Sequence, residues 1–100
     1  GSMRVMIYLM NDGTSVCLDG SDFVEVPESK YDIMYKTLNE CNKTYSHIKF
    51  LLEETHGTVV AKSDDVIQLE SCGEETVQLL YRMVTVIEDA YPKLMKAIWA

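Results

Sequence analysis

The side chains of this chain that could do chemistry are few and far apart. Its thiols are Cys17, Cys41 and Cys72, and its imidazoles are His47 and His56. A cysteine held beside a histidine would give an activated thiolate, the working group of thiol hydrolases and redox proteins. Cys41 falls on the apolar stripe of an expected helix, where a thiol is normally inert. Cys17 falls in an expected strand and Cys72 in an expected loop. A small thiol-dependent enzyme or redox protein using Cys72 or Cys17 is therefore an alternative reading. His47 and His56 flank a strand, and neither Cys-x-x-Cys nor His-x-x-x-His spacing occurs. No metal ligands are expected.

Carboxylates come in adjacent pairs: Glu53-Glu54, Asp64-Asp65, Glu74-Glu75 and Glu88-Asp89. Neighbours in a strand point to opposite faces, so Glu53 and Glu54 do not converge on a substrate. Glu74 and Glu75 suit the positive end of a helix. Asp64-Asp65 lacks the spaced oxygen ligands of a calcium loop. No Gly-rich strand-to-helix turn offers a phosphate cradle. The expectation is a non-catalytic protein with no catalytic residue, no cofactor and no metal.

Composition narrows the partners. The 100 residues are 47% hydrophobic with a net charge of -7, a profile of one globular domain rather than a disordered chain. Nine scattered Lys and Arg residues cannot release counterions from nucleic acid or an anionic membrane in useful numbers. No run of eighteen apolar residues occurs, so no membrane span is expected. Three widely spaced cysteines suit a reducing compartment better than a disulfide framework. The chain reads as cytoplasmic. Gly1-Ser2 reads as an expression scar, leaving 3–100 as a single domain.

The elements that must position these residues follow from periodicity. Arg4 to Met10 is almost continuously apolar, the pattern of a strand covered on both faces. Asn11-Asp12-Gly13 signals a hairpin turn, Ser15 to Leu18 the return strand, and Asp22 to Val26 a third strand ended by Pro27. From Pro27, Ser29 with Asp32 suggests a capping box. Tyr31, Met34, Leu38, Cys41 and Tyr45 then recur at helical spacing. From His47 the period changes to two: Ile48, Phe50 and Leu52 point one way, His47, Lys49 and Leu51 the other. Thr55-His56-Gly57 turns the chain into Thr58 to Lys62, with Val59 and Ala61 on one face. Ser63-Asp64-Asp65 reads as a break or bulge, with Val66 to Leu69 extending the strand. Ser71, backed by Glu74, can cap a helix whose buried stripe is Val77, Leu80, Tyr81, Val84, Ile87 and Tyr91, widened by Leu79, Met83 and Val86, a face so broad that the helix is either deeply buried or shared with a partner. Pro92 begins a short terminal helix carrying Leu94, Met95, Ile98 and Trp99. The expected fold is α+β: about five antiparallel strands with two main helices packed on them, order βββαββα plus that short helix.

This apolar inventory exceeds what one small two-layer domain needs. Self-association or capture of a partner protein through a sheet face or edge is the functional expectation, with a homodimer the favoured form. Tyr8, Met10, Phe23 and Trp99 are the candidate partner-binding residues. A structural subunit of a larger assembly is a further alternative.

The helix ending Leu38-Asn39-Glu40-Cys41-Asn42, the strand Ile48-Lys49-Phe50, a Gly-containing turn and the strand Val59-Val60-Ala61 together resemble the YbjN family of bacterial proteins. The tail from Glu88-Asp89-Ala90-Tyr91-Pro92 to Ile98-Trp99 is similar to that family's C-terminal segment. The likeness covers roughly Val16 to Trp99. It implies a type III secretion chaperone-like fold and a regulatory or chaperone-like binding role without a cofactor. Such proteins usually place a helix before the first strand, and this chain starts almost directly in a strand. It is either a minimal version or has that helix replaced by a partner chain or by the segment around Trp99.

Overall fold

The computed structural model describes residues 3–10 and 14–100. The Gly1-Ser2 dipeptide and the Asn11-Asp12-Gly13 turn lie outside the described residues. The class is α+β, as the periodicity implies. Four antiparallel strands form one sheet, β1 (Arg4–Met10), β2 (Ser15–Ser21), β3 (Lys49–Glu53) and β4 (Thr58–Val66), in the order β1-β2-β4-β3. Two helices, α1 (Tyr31–Thr44) and α2 (Cys72–Trp99), complete the fold.

The period-two pattern sets which side of the sheet is buried. Val16 and Leu18 of β2, Phe50 of β3, and Val59 and Ala61 of β4 are buried. They share one cluster with Met34, Leu38 and Cys41 of α1 and with Met83, Ile87, Ala90, Leu94 and Ala97 of α2. Both helices thus cover the same sheet face. The α1 stripe stands where its spacing puts it. Tyr31 and Tyr45, at its two ends, pack on the cluster's rim.

The fold departs from expectation in several places. Among the described residues the sheet has four strands, not five. Asp22 to Val26 is an extended crossing that touches β4 through a single bridge, Glu25 with Thr58. Asp22 sits at φ 61°, which breaks the ladder before it can form, and Pro27 has no N–H to continue it. The order is therefore ββαββα. Ser63-Asp64-Asp65 is neither break nor bulge, because β4 pairs with β2 without interruption from Ala61 to Val66. Beyond Val66 the strand stops, and a 3₁₀ turn spans Leu69–Ser71.

The helix entries differ too. A 3₁₀ turn at Glu28–Lys30 precedes α1, and neither helix start has a side-chain cap. At α2, Glu75 rather than Glu74 ties the entry. Its Oε2 accepts from the Gln68 N–H at 2.8 Å and from the Ser71 hydroxyl at 2.9 Å. Pro92 does not end α2, which runs unbroken for 28 residues. Ala90, Leu94 and Ala97 continue one buried row across the proline. Burial of that row offsets the hydrogen bond the proline removes.

Candidate functional site

The three thiols lie in three different elements, Cys17 in β2, Cys41 in α1 and Cys72 in α2. Cys17 stands opposite Asp64 in the β2–β4 ladder. Its thiol donates to that carboxylate, which, with burial and the charges of Asp64 and Asp19, pushes its pKa up to about 11. A thiol so held is protonated at neutral pH and is a poor nucleophile. Cys41 is buried, and burial raises its pKa as well. Cys72 is half-buried at the first turn of α2. His47 and His56 are both exposed, His47 at φ 71°. Among the described residues no group of three or more His, Cys, Asp or Glu side chains is placed to hold a metal ion.

One cluster has the look of chemistry. The Tyr45 hydroxyl donates to Asp89 Oδ2 at 2.5 Å, and Lys93 Nζ donates to the Tyr45 oxygen at 3.0 Å. The tyrosine pKa is raised, first by burial and then by the Asp89 bond. That is the opposite of what a tyrosine base requires. The three residues clasp the end of α1 to the middle of α2. Elsewhere, a shallow cleft of about 380 Å³ is lined by Met10, Ser15, Val16, Asp64, Asp65 and Val66. Arg82 already holds Asp65 through a forked contact at 3.0 and 3.2 Å, and Asp64 is engaged by Cys17.

The feature that stands apart is β1. It is the terminal strand of the sheet, paired with β2 along all seven residues from Arg4–Ser21 to Met10–Ser15. Its other edge turns backbone N–H and C=O groups outward. Contrary to the expectation of a covered strand, it is open on both faces. Met6, Ile7 and Tyr8 are each 44% exposed, Met10 46% and Leu9 58%. The strand reads as interior because its side chains from Val5 to Met10 are all apolar, yet Met6 to Met10 stay exposed.

The reason lies in where α2 rests. Gly20 of β2 lets α2 come close, so that a Cβ there would lie 2.8 Å from Ile87 Cδ1 and 3.5 Å from Met83 Sδ. The row Met83, Ile87, Ala90, Leu94 and Ala97 is consequently the buried one. The expected stripe meets it at Ile87 and, in its widened part, at Met83, but its other members lie to one side. Val77 is 65% exposed, Tyr81 75%, and Tyr91 is also exposed. At 100° per residue, Val77, Tyr81, Val84 and Tyr91 lie on the flank of α2 opposite Arg82, Asp89 and Lys93. The latter flank faces β4 and α1, through Asp65 and Tyr45. The apolar flank therefore faces the β1 side of the sheet. Val5, Ile7 and Leu9 share their face with the buried Gly20, Leu18 and Val16 opposite them. Ile7 and Leu9 of β1 and Val77 and Tyr81 of α2 are thus exposed apolar side chains on the helix side of the sheet among the described residues.

Of the four candidate partner-binding residues, Tyr8 and Met10 are brought together on the outer face of β1. Phe23 is half-buried against the core, a packing residue of the crossing segment. Trp99 is 80% exposed at the far end of α2, where Lys30 bonds the carbonyl of Ala100. Sequence reasoning missed Ile7, Leu9, Val77 and Tyr81 as surface residues. The signal available was the excess width of the α2 stripe.

No helix among the described residues is long and apolar enough to cross a membrane. No protein-family model, no curated protein and no solved structure matches this chain.

Proposed function

We propose that this protein is a non-catalytic interaction module whose working element is the open edge of β1. The observation that carries the reading is the exposure of five consecutive apolar residues, Met6 to Met10, on an edge strand. Such an edge is a standing template for another strand, and natural proteins ordinarily blunt it with charge, proline or a bulge. This one has Arg4 alone as a charged group and no proline. Pairing along it would add backbone hydrogen bonds, while the two apolar faces would read alternate side chains of the incoming strand. A chaperone-like hold on an extended segment of a partner protein, or self-association, in a YbjN-like bacterial cytoplasmic setting is the fuller form of the proposal. The hold of Asp64 on the Cys17 thiol proton speaks against Cys17 as the nucleophile of the thiol-enzyme alternative.

The test compares the wild type with Leu9→Lys, each immobilised as the full chain and exposed to native cell extract, with retained proteins identified by mass spectrometry. Proteins held by the wild type and lost with the lysine are the expected outcome. Identical retention on both would remove β1 from the function.

A further inference from the structure

We infer that the strand this edge accepts is β1 of a second copy, giving a twofold dimer with Ile7 opposite the second copy's Ile7. The inference rests on the reading of β1 as the working edge and names its occupant.

Three features of the edge suit a second copy. The first is parity. Antiparallel pairing centred on Ile7 sets Val5 opposite Leu9, Met6 opposite Tyr8, and Arg4 opposite Met10. Directly opposed residues share a sheet face. Helix-side residues therefore meet helix-side residues, and Met6 meets Tyr8 on the outer face, a favourable sulfur–aromatic pair. Both helical layers end on the same side of one continuous eight-stranded sheet. The Ile7 and Leu9 rows of both copies then adjoin on the helix side of that sheet.

The second observation is charge. The chain carries -7 overall, which opposes association of copies at most surfaces. From Val5 to Met10 the seam has no charge at all. Arg4, at its end, already faces Asp22 at 3.5 Å. A basic peptide would find no carboxylate along this edge, whereas a neutral apolar strand meets no penalty.

The third observation is closure. The opposite edge of the sheet, β3, is short and has its outward backbone groups at Phe50 occupied by the Asn42 side chain, through bonds of 2.7 and 3.1 Å. With one edge open and one stopped, pairing ends at two copies rather than growing into a filament.

The test is sedimentation of the full chain at tens of micromolar, with cross-linking to fix the register. The wild type is expected at twice its 11.4 kDa chain mass. Ile7→Lys is expected at once that mass with an unchanged circular dichroism spectrum. Leu9→Lys, at the most exposed seam position, serves should the first variant not fold. Under mild oxidation Ile7→Cys is expected to form a 7–7 disulfide between copies, because opposed Cα atoms across a ladder lie within disulfide range. Leu9→Cys alone is expected not to pair with itself. A dimer that survives both lysines, or that gives no 7–7 bridge, overturns the seam. A monomeric wild type overturns it as well. In that case Leu9-dependent capture from extract, if retained, leaves the interaction-module reading standing, and its absence removes both.

Discussion

Asn42 of α1 makes a two-point amide contact with the backbone of Phe50. Its Oδ1 accepts from the Phe50 N–H at 2.7 Å and its Nδ2 donates to the Phe50 carbonyl at 3.1 Å. The side-chain amide stands where the peptide group of a fifth strand would stand. It satisfies an outward-facing donor and acceptor of β3 while Phe50 itself is fully buried. One edge of the sheet is thus finished by the fold's own helix, and the other is left open.

Asn42→Ala should therefore lower stability by about 1–3 kcal/mol, the usual worth of two such bonds when half-buried backbone groups lose their partners. Asn42→Asp should cost a similar amount, because it keeps the acceptor but sets a carboxylate against the Phe50 carbonyl. Urea unfolding midpoints at constant m-value measure both. An unchanged midpoint for the alanine would mean water replaces the amide without loss.

The parts of this fold that were legible in sequence are those where one face alone is buried. The α1 stripe of Met34, Leu38 and Cys41, and the alternation of Ile48, Phe50, Val59 and Ala61, each declare a single buried side, and each is buried. Two elements misled because their apolar residues outnumber the core positions the chain itself supplies. The strand β1 is apolar at every residue from Val5 to Met10, so periodicity cannot say whether it is central or unpartnered. In α2 two apolar rows run side by side. The row chosen by β2 is decided by the absent side chain at Gly20, which admits Met83 and Ile87. That choice is tertiary and has no local signature. Both misreadings leave the same surplus on the same side of the molecule, which is why the candidate site emerged from the errors. The exposure of Tyr8 and Met10 belongs to that surplus. Phe23 packs inward on the core, which only the path of the crossing segment reveals.

Gly20 and Ile87 should be energetically coupled. A Cβ at residue 20 would sit 2.8 Å from Ile87 Cδ1, closer than nonbonded carbons tolerate, although the atom it meets is the end of a side chain and can give. Gly20→Val overpacks the site and should cost about 1–3 kcal/mol. Ile87→Val removes the offending methyl and should cost about 0.5–1.5 kcal/mol alone. In the double variant the new bulk occupies the space the methyl left, so the two costs should fall short of additive by about 1 kcal/mol. A double-mutant cycle on unfolding free energies reads this directly. Strict additivity would show that α2 lifts off the sheet as a body rather than yielding at one side chain.

Cys17 should report the integrity of the β2–β4 ladder through its proton. Its thiol donates to Asp64, and that bond, followed by burial and by the charges of Asp64 and Asp19, carries the pKa from 9.0 to about 11. In the wild type at pH 8, alkylation at Cys17 should be far slower than for a free thiol. Asp64→Asn removes the largest cause. Return toward 9.0 would raise the thiolate fraction up to ~100-fold, partly offset by the lower nucleophilicity of the less basic thiolate, for a net gain of up to ~10-fold. Peptide-resolved mass spectrometry separates this site from Cys41 and Cys72. The same proton is linked to folding. The folded state binds it more tightly than the unfolded state, so the stabilisation is fully present below pH 9 and is lost as pH rises toward 11. Cys17→Ser should therefore flatten the fall of the unfolding midpoint across that window. A wild type whose midpoint is level from pH 9 to 11, or an Asp64→Asn variant alkylated no faster, would show that Asp64 does not hold the thiol proton.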